Sequence, residues 1–440
     1  MVPCNRVLDS HASASSASAI GTHASGGYAA MLHAMLSRMI RRGRLVLHEP
    51  GGRTTVFQGR EPGPEAGMRI NDMAAIRRIV LNPGLGVGES FMDGQIEPAG
   101  CSLFELMDVL AMNYIETPPG AEMVLERVRW LRRRFDQLNP AGRSRRNVAH
   151  HYDLDSRLYS LFLDRDRQYS CAYFPKGDET LEEAQLLKKR HIAAKLKLDQ
   201  PDLEVLDIGC GWGGMALTLA KEYGARVTGL TLSTEQLAEA RKRAEEAGLA
   251  DRVRFELMDY RAWNRPMDRI VSVGMFEHVG VGHYRTFFRK VREILKEDGA
   301  ALIHAIGRAD GPGSTNPWIA KYIFPGGYSP ALSEVMAAVE KEKLWATDIE
   351  ILRLHYAKTL AHWRRRFAAN RDTIQSLYDE RFCRMFEFYL VGSELAFRRM
   401  GHMNWQLQLT RSVDALPLSR DYMYEAEHQP MPEGIRAQLA

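Results

Sequence analysis

The chain has 440 residues, 45% of them hydrophobic and 26% charged, and a formal net charge of +4. That balance fits a folded protein with a full core and room for two domains. Its five scattered cysteines, Cys4, Cys101, Cys171, Cys210 and Cys383, form no C-x-x-C pair, which excludes a disulfide framework and a zinc ribbon and points to a reducing compartment.

No apolar run approaches the ~18 residues of a spanning helix. No basic region precedes an apolar core at the N-terminus, so neither a secretory leader nor a lipid anchor at Cys4 is expected. Cytoplasmic residence follows as an expectation. Residues 1–27 contain a small, polar stretch, DSHASASSASAIGTHASGG (9–27). It cannot bury enough surface to offset its ordering entropy, so a disordered tail is expected there.

Residues 28–136 read as a small N-terminal α+β domain. An amphipathic helix is expected around Ala29–Ile40. A hairpin follows, with strands Arg44–His48 and Thr54–Phe57 joined by a Pro50-Gly51-Gly52 turn. Glycines and a proline punctuate Leu81–Gly94. Leu103–Tyr114 and Glu122–Phe135 carry helical patterns. Asn139-Pro140-Ala141-Gly142 marks a linker over 137–147. The arginines are clumped: Arg38, Arg41, Arg42 and Arg44 in one group, eight between Arg127 and Arg146 in another. Each cluster is either a solvated face or a surface for an anionic partner, membrane or nucleic acid.

From 148 to 425 strands and helices alternate, which predicts a doubly wound α/β sheet. Helix Leu181–Leu196 precedes strand Glu204–Ile208. Strand Arg226–Leu230, helix Thr234–Ala247, strand Val253–Leu257, strand Ile270–Met275, helix Tyr284–Leu295 and strand Ala300–Ala305 follow. Residues 307–400 break the alternation with a Pro, Gly and aromatic segment and long helices rich in Phe, Tyr and Met. The sheet resumes at Asn404–Thr410, and 426–440 reads as a tail. An apolar, aromatic insertion at the carboxyl edge of the sheet suits a greasy substrate.

The turn after Glu204–Ile208 is crowded with glycine. Gly209, Gly211 and Gly214 satisfy G-x-G-x-x-G, a weak pattern by itself. A dinucleotide site wants an acid at the end of the second strand, and none stands there; Thr231, Ser233 and Gln236 do. Asp207, just before the first glycine, suits a cationic ligand with an α-amino group. The balance favours S-adenosylmethionine. Trp212 packs on either the cofactor or the core.

Two later strands lead into titratable residues, Glu277 with His278, and His304, at the edge where such sheets bind ligands. A carboxylate in so apolar a stretch needs a partner. Taken alone, His304 reads as a hydrogen-bonded core histidine and Cys171 as a buried, inert thiol. Tyr356 shares a helical face with Leu352, Leu360 and Trp363 and reads as core. No G-x-S-x-G elbow and no H-E-x-x-H motif occurs.

In this order, QYSCAYF (168–174), VLDIGCGWGG (205–214), TLSTEQ (231–236), SVGMFEHVG (272–280) and HAIG (304–307) resemble the cyclopropane-fatty-acyl-phospholipid synthases. These are relatives of the mycolic acid cyclopropane synthases. The resemblance runs from about Asn147 to Arg411, with an echo in GLGVGESFMDG (84–94). It implies a Rossmann-like class I methyltransferase sheet with a substrate-binding insertion. Carried over by position, its S-adenosylmethionine contacts fall on Tyr169, Ser170, and Leu206 to Gly214, which includes Asp207, Gly209, Cys210, Gly211, Trp212 and Gly213. Others fall on Thr231, Leu232, Ser233, Gln236, Asp259 and Tyr260. It implies a bicarbonate held by Cys171, Glu277, His304, the Ile306 backbone and Tyr356, and no metal.

The implied reaction adds a methylene to the cis double bond of an unsaturated phospholipid, through a carbocation, with bicarbonate as base. The implied partners are a phospholipid bilayer with an anionic surface and a second copy of the chain, with no nucleic acid. The arginine cluster and N-terminal helices would serve docking at the inner membrane surface. Alternatives within reach of the same motifs are a fatty-acyl C-methyltransferase leaving a branch and a small-molecule amine N-methyltransferase.

Overall fold

The structure is a computed structural model that describes residues 19–116, 125, 127–130 and 156–428. The linker around Asn139–Gly142 and most of the Arg127–Arg146 cluster lie outside the described residues. Of the Glu122–Phe135 helix expectation, only 125 and 127–130 are described, and they are helical.

The N-terminal part is a four-stranded sheet in the order β2-β1-β3-β4 with helices against it. Strands β1 (Arg42–His48) and β2 (Thr54–Gln58) form the expected antiparallel hairpin, with Leu45 opposite Phe57. Strand β3 (Glu61–Ile70) runs parallel to β1, and the short β4 (Ile96–Pro98) closes the sheet. Both were unexpected, because the acidic, Pro- and Gly-containing start of β3 has no apolar alternation.

One expectation is corrected here. The first helix spans Ala19–Met39, so 19–27 are helical rather than part of a disordered tail. Leu32, Leu36 and Met39 anchor that helix in the core, and once a helix is nucleated each added residue costs little. The glycine-punctuated segment is also a helix, Pro83–Met92. Its glycines are there for close approach. A Cβ on Gly88 would lie 2.5 Å from the Trp318 ring, which belongs to the later part of the chain.

The second sheet has seven strands in the order β10-β11-β9-β8-β5-β6-β7. Strands β5 (Glu204–Ile208), β6 (Arg226–Thr231), β7 (Val253–Leu257), β8 (Met267–Val273) and β9 (Leu295–Arg308) are mutually parallel. Strand β11 (His402–Thr410) is antiparallel to β9, and β10 (Trp345–Ile351) to β11. The chain winds outward both ways from β5 and β8, so the topological switch lies between them. The apolar strands are buried on both faces, as parallel sheets covered by helices require.

Residues 307–400 are therefore not wholly outside the sheet: β10 forms its edge. The insertion proper is helical: Pro317–Tyr322, His355–Ala369, Arg371–Leu377 and Glu380–Arg399. Asn316 and Asp379 cap the first and last of these through their side-chain oxygens. Trp363, Phe367, Phe386 and Tyr389 form an aromatic core with Tyr159 and Phe162. The last described helix, Asp421–Glu427, crosses the expected boundary at 425. His191 holds it through Glu427 and also meets Glu350 at 2.6 Å.

Candidate active site

The glycine turn after β5 uses left-handed backbone, with φ of +85° at Gly209, +55° at Gly211 and +83° at Gly213. A Cβ on Gly211 would meet nothing within 4 Å, so its conformation, not crowding, demands glycine. Gly213 differs: a Cβ there would lie 2.6 Å from the Phe255 ring.

A cavity opens over this turn. Tyr169 and Ser170 line it from the segment before the sheet. Asp207, Gly209, Cys210, Gly211 and Trp212 line it from the turn. Thr231, Leu232 and Gln236 contribute from the end of β6, and Asp259 with Tyr260 from the end of β7. Four residues of the expected set, Leu206, Gly213, Gly214 and Ser233, are absent from this lining. Gly213 shapes the turn against Phe255. Ser233 caps the Thr234–Glu246 helix by accepting the Gln236 N–H at 3.2 Å. Trp212 does both things left open for it: it borders the cavity and stacks into the core 5.0 Å from Tyr159.

Asp207 is buried, and its Oδ2 has no hydrogen-bond partner among the described residues. Burial pushes its carboxyl up to about 7, with Lys188 pulling the other way. A cationic ligand would give this oxygen the partner it lacks, so the site fits a ligand carrying an ammonium group. Asp259, in contrast, is engaged with Arg261 at 2.8 and 2.6 Å. Burial lifts the Cys210 thiol well above its ordinary range, which leaves it unreactive.

A second cavity adjoins the first. Cys171, Glu277, His304, Ile306 and Tyr356 all line it, together with Asn404, Ile319 and Phe324. Tyr169, Ser170, Gly274 and His278 border both cavities and form the wall between them. Strand β8 ends at Val273, and Glu277 and His278 stand on a single 3-10 turn, Phe276–His278, beyond it.

The Ile306 N–H, expected to hold a small anion, donates to Glu277 Oε1 at 2.7 Å. Glu277 Oε2 is buried without a hydrogen-bond partner among the described residues. Burial raises this carboxyl to about 7, with the Ile306 N–H opposing. His304 Nδ1 meets the Gln406 side-chain nitrogen at 3.1 Å, while Nε2 has no partner among the described residues. With that amide nitrogen donating, Nε2 carries the ring proton and points the imidazole N–H at the cavity. Burial holds His304 well below its ordinary range, so it is neutral. The Cys171 thiol donates to the Ala172 carbonyl at 3.3 Å, and burial pushes it well up. Tyr356 sits edge-on to Trp363 and tilted against Phe397.

Sequence reasoning missed several residues that shape these cavities. Gln185 donates to the carbonyls of Gln168 and Ser170 at 3.2 and 2.9 Å. Lys188 reaches Gln168 and Ser170 side chains, Arg261 clamps Asp259, and Gln406 orients His304. The available signal was a polar pair three apart, Gln185 and Lys188, on one face of a helix.

The mycolic acid cyclopropane synthetase family model matches residues 140–407. A probable fatty acid methyltransferase of Pseudomonas putida is 35% identical over 384 residues, 82% of this chain and 92% of the relative. The cyclopropane-fatty-acyl-phospholipid synthase of Escherichia coli (strain K12) is 39% identical over 349 residues, 79% of this chain and 89% of the relative. The solved mycolic acid cyclopropane synthase CmaA1, complexed with SAH and CTAB, is 33% identical with a TM-score of 0.57. It covers 62% of this chain and 99% of its own. The sheet is thus a class I methyltransferase sheet.

Proposed function

The chain belongs to the mycolic acid cyclopropane synthetase family of S-adenosylmethionine-dependent methyltransferases, and from that premise we propose that it adds a methylene across the cis double bond of an unsaturated phospholipid acyl chain. The observation that carries this reading is the pair of adjoining cavities. One is a glycine cradle with an unpartnered carboxylate, and the other a polar set inside an aromatic wall.

In this reading Asp207 receives the cationic end of S-adenosylmethionine, and the open face of Gly211 admits it. When bound, that cofactor supplies an electrophilic methyl group. The alkene π electrons would attack that methyl carbon as its bond to sulfur breaks and S-adenosylhomocysteine leaves, so positive charge would develop on the former alkene carbons. Tyr169, Phe324 and Tyr356 present aromatic faces to that charge, and the aromatic insertion keeps the cavity dry so that water does not trap it. Closing the ring requires loss of a proton from the new methyl group. We place bicarbonate among Cys171, Glu277, His304 and Tyr356, where it would supply an oxygen base. His304 is neutral, so the conflict between two anions is relieved by a proton on Glu277, whose carboxyl titrates near 7.

The likeness to a fatty acid methyltransferase favours a second reading, in which the same cation resolves to a methyl or methylene branch. Glu277 and His304 weigh toward ring closure, because closure needs a place for the methyl proton.

A phospholipid substrate requires visits to a bilayer. No described helix is long and apolar enough to cross one. We propose peripheral docking through the N-terminal part and the Arg127–Arg146 cluster. In its described stretch Arg127 is exposed beside exposed Val128 and Trp130, a pairing of charge and apolar surface that suits an interface.

The test incubates the purified protein with methyl-labelled S-adenosylmethionine and vesicles of monounsaturated phospholipid, followed by mass spectrometry of the acyl chains. Gain of CH₂ with loss of the double bond is the expected product. Gain with the unsaturation retained selects the branched reading, and no label in lipid defeats both.

A further inference from the structure

Lys188 is fully buried in the Leu181–Lys195 helix. A buried ammonium is costly unless its surroundings compensate it. Its two hydrogen-bond partners are neutral: Nζ donates to Gln168 Oε1 at 2.6 Å and to Ser170 Oγ at 2.9 Å. Both acceptors line the cavity over the glycine turn, and Ser170 also borders the second cavity. The adjacent Lys189 is used differently, because it pairs with Asp166 at 2.6 Å. Asp166 also binds Arg243 and accepts from Gln168 Nε2 at 3.0 Å. The charge of Asp166 is thus already met twice, and Lys188 remains as a cation directed at the cavity wall.

We propose that Lys188 is a positioning residue for the methyl donor: its buried ammonium, held by Gln168 and Ser170, fixes the Gln168–Cys171 wall between the two cavities and places a positive charge behind the cofactor pocket. This rests on reading the first cavity as the S-adenosylmethionine site.

The charged and titratable groups facing Lys188 come from every element around it. Asp164 and Asp166 face it from the preceding loop, Lys189 from its own helix, Cys171 from the wall, Asp207 from β5 and His304 from β9. Burial drives Lys188 down to about 8, with Asp164 among the groups that hold it up. Burial drives Asp207 up to about 7, against the pull of Lys188. Between those values both groups are charged. Below pH 7 Asp207 takes up a proton that an ammonium ligand must displace. Without Lys188 that boundary moves to higher pH.

The experiment is titration calorimetry of the full chain with S-adenosylhomocysteine, which keeps the amino group, across pH 6 to 9. It compares wild type with Lys188→Met and Lys188→Gln, so that one variant suffices if the other does not fold. In wild type, binding weakens below pH 7 and releases a proton. In either variant, affinity at pH 6 drops about tenfold, the equivalent of one pKa unit, and the gap narrows by pH 9. An equal loss at every pH makes Lys188 merely structural and overturns the proposal, as does no loss at all. If neither variant folds, wild-type binding in two buffers of different ionisation enthalpy decides: no proton release between pH 6 and 7 overturns it. If wild type fails to bind at any pH, the cofactor reading beneath it falls instead.

Discussion

Each of the two cavities contains a carboxyl oxygen without a hydrogen-bond partner among the described residues, Asp207 Oδ2 in one and Glu277 Oε2 in the other. Such groups weaken the fold. Glu277 has a folded value near 7 against an ordinary 4.5. Its contribution to stability is full below about 4.5 and is lost as pH rises through 7, so at pH 8 the charged form destabilises. Glu277→Gln keeps an oxygen for the Ile306 N–H and removes the charge. At pH 8 it should raise thermal stability by about 1–3 kcal/mol, with no gain at pH 4. Turnover should fall at least about 100-fold, the usual size of an acid–base contribution, while S-adenosylhomocysteine binding persists. A lower melting temperature at pH 8 would refute the burden assigned to this carboxylate.

The Pro83–Met92 helix joins the two parts of the molecule, beside the Leu103–Glu116 helix, whose Asp108 pairs with Arg399 at 2.8 Å. Gly88 lies flat against Trp318, whose indole N–H points at Met92 Sδ. Glu89 accepts from Lys321 Nζ at 2.6 Å and the Tyr322 hydroxyl at 2.8 Å. Those partners sit on the Pro317–Tyr322 helix, which carries Ile319 into the wall of the second cavity. Gly88→Val has no room and should cost about 1–3 kcal/mol by overpacking. It should also expose the 317–322 helix to proteolysis. Gly392, inside the Glu380–Arg399 helix, is the control. A Cβ there meets nothing within 4 Å, so Gly392→Ala should gain about 0.5–1 kcal/mol. Thermal melts of both variants measure the contrast; equal shifts in one direction would mean that contact with Trp318 is not what demands glycine at 88.

For the whole molecule, the open question is how a chain with no described membrane-spanning helix reaches a lipid. Reversing four arginines between Arg127 and Arg146 to glutamate should weaken sedimentation with anionic vesicles by at least about tenfold at 0.1 M salt. Each basic residue near such a surface is worth about 1 kcal/mol. Binding to neutral vesicles should change little, and unaltered binding to anionic ones would remove this cluster from docking. The doubly wound sheet was legible in the sequence because its central strands are short apolar runs bounded by turns, and the glycine turn announces a ligand by its residue types alone. Strand β3, internal to its sheet, was not, because acid, Pro and Gly at its start blur the alternation, and β10 was not, because an edge position tolerates polar residues that do the same. The Pro83–Met92 helix was hidden because its glycines answer a contact with Trp318, 230 positions away by numbering. Lys188 and Gln406 look like ordinary polar residues until folding buries them beside the cavities. The sequence by itself determined the kind of sheet, the cradle and the residue types around it. Only the tertiary structure decided that Gly213 and Ser233 serve the backbone, that Ile306 answers Glu277, and that two cavities share one wall. Local pattern records which face of an element is apolar, but burial, charge and hydrogen-bond partners arise only when distant elements meet.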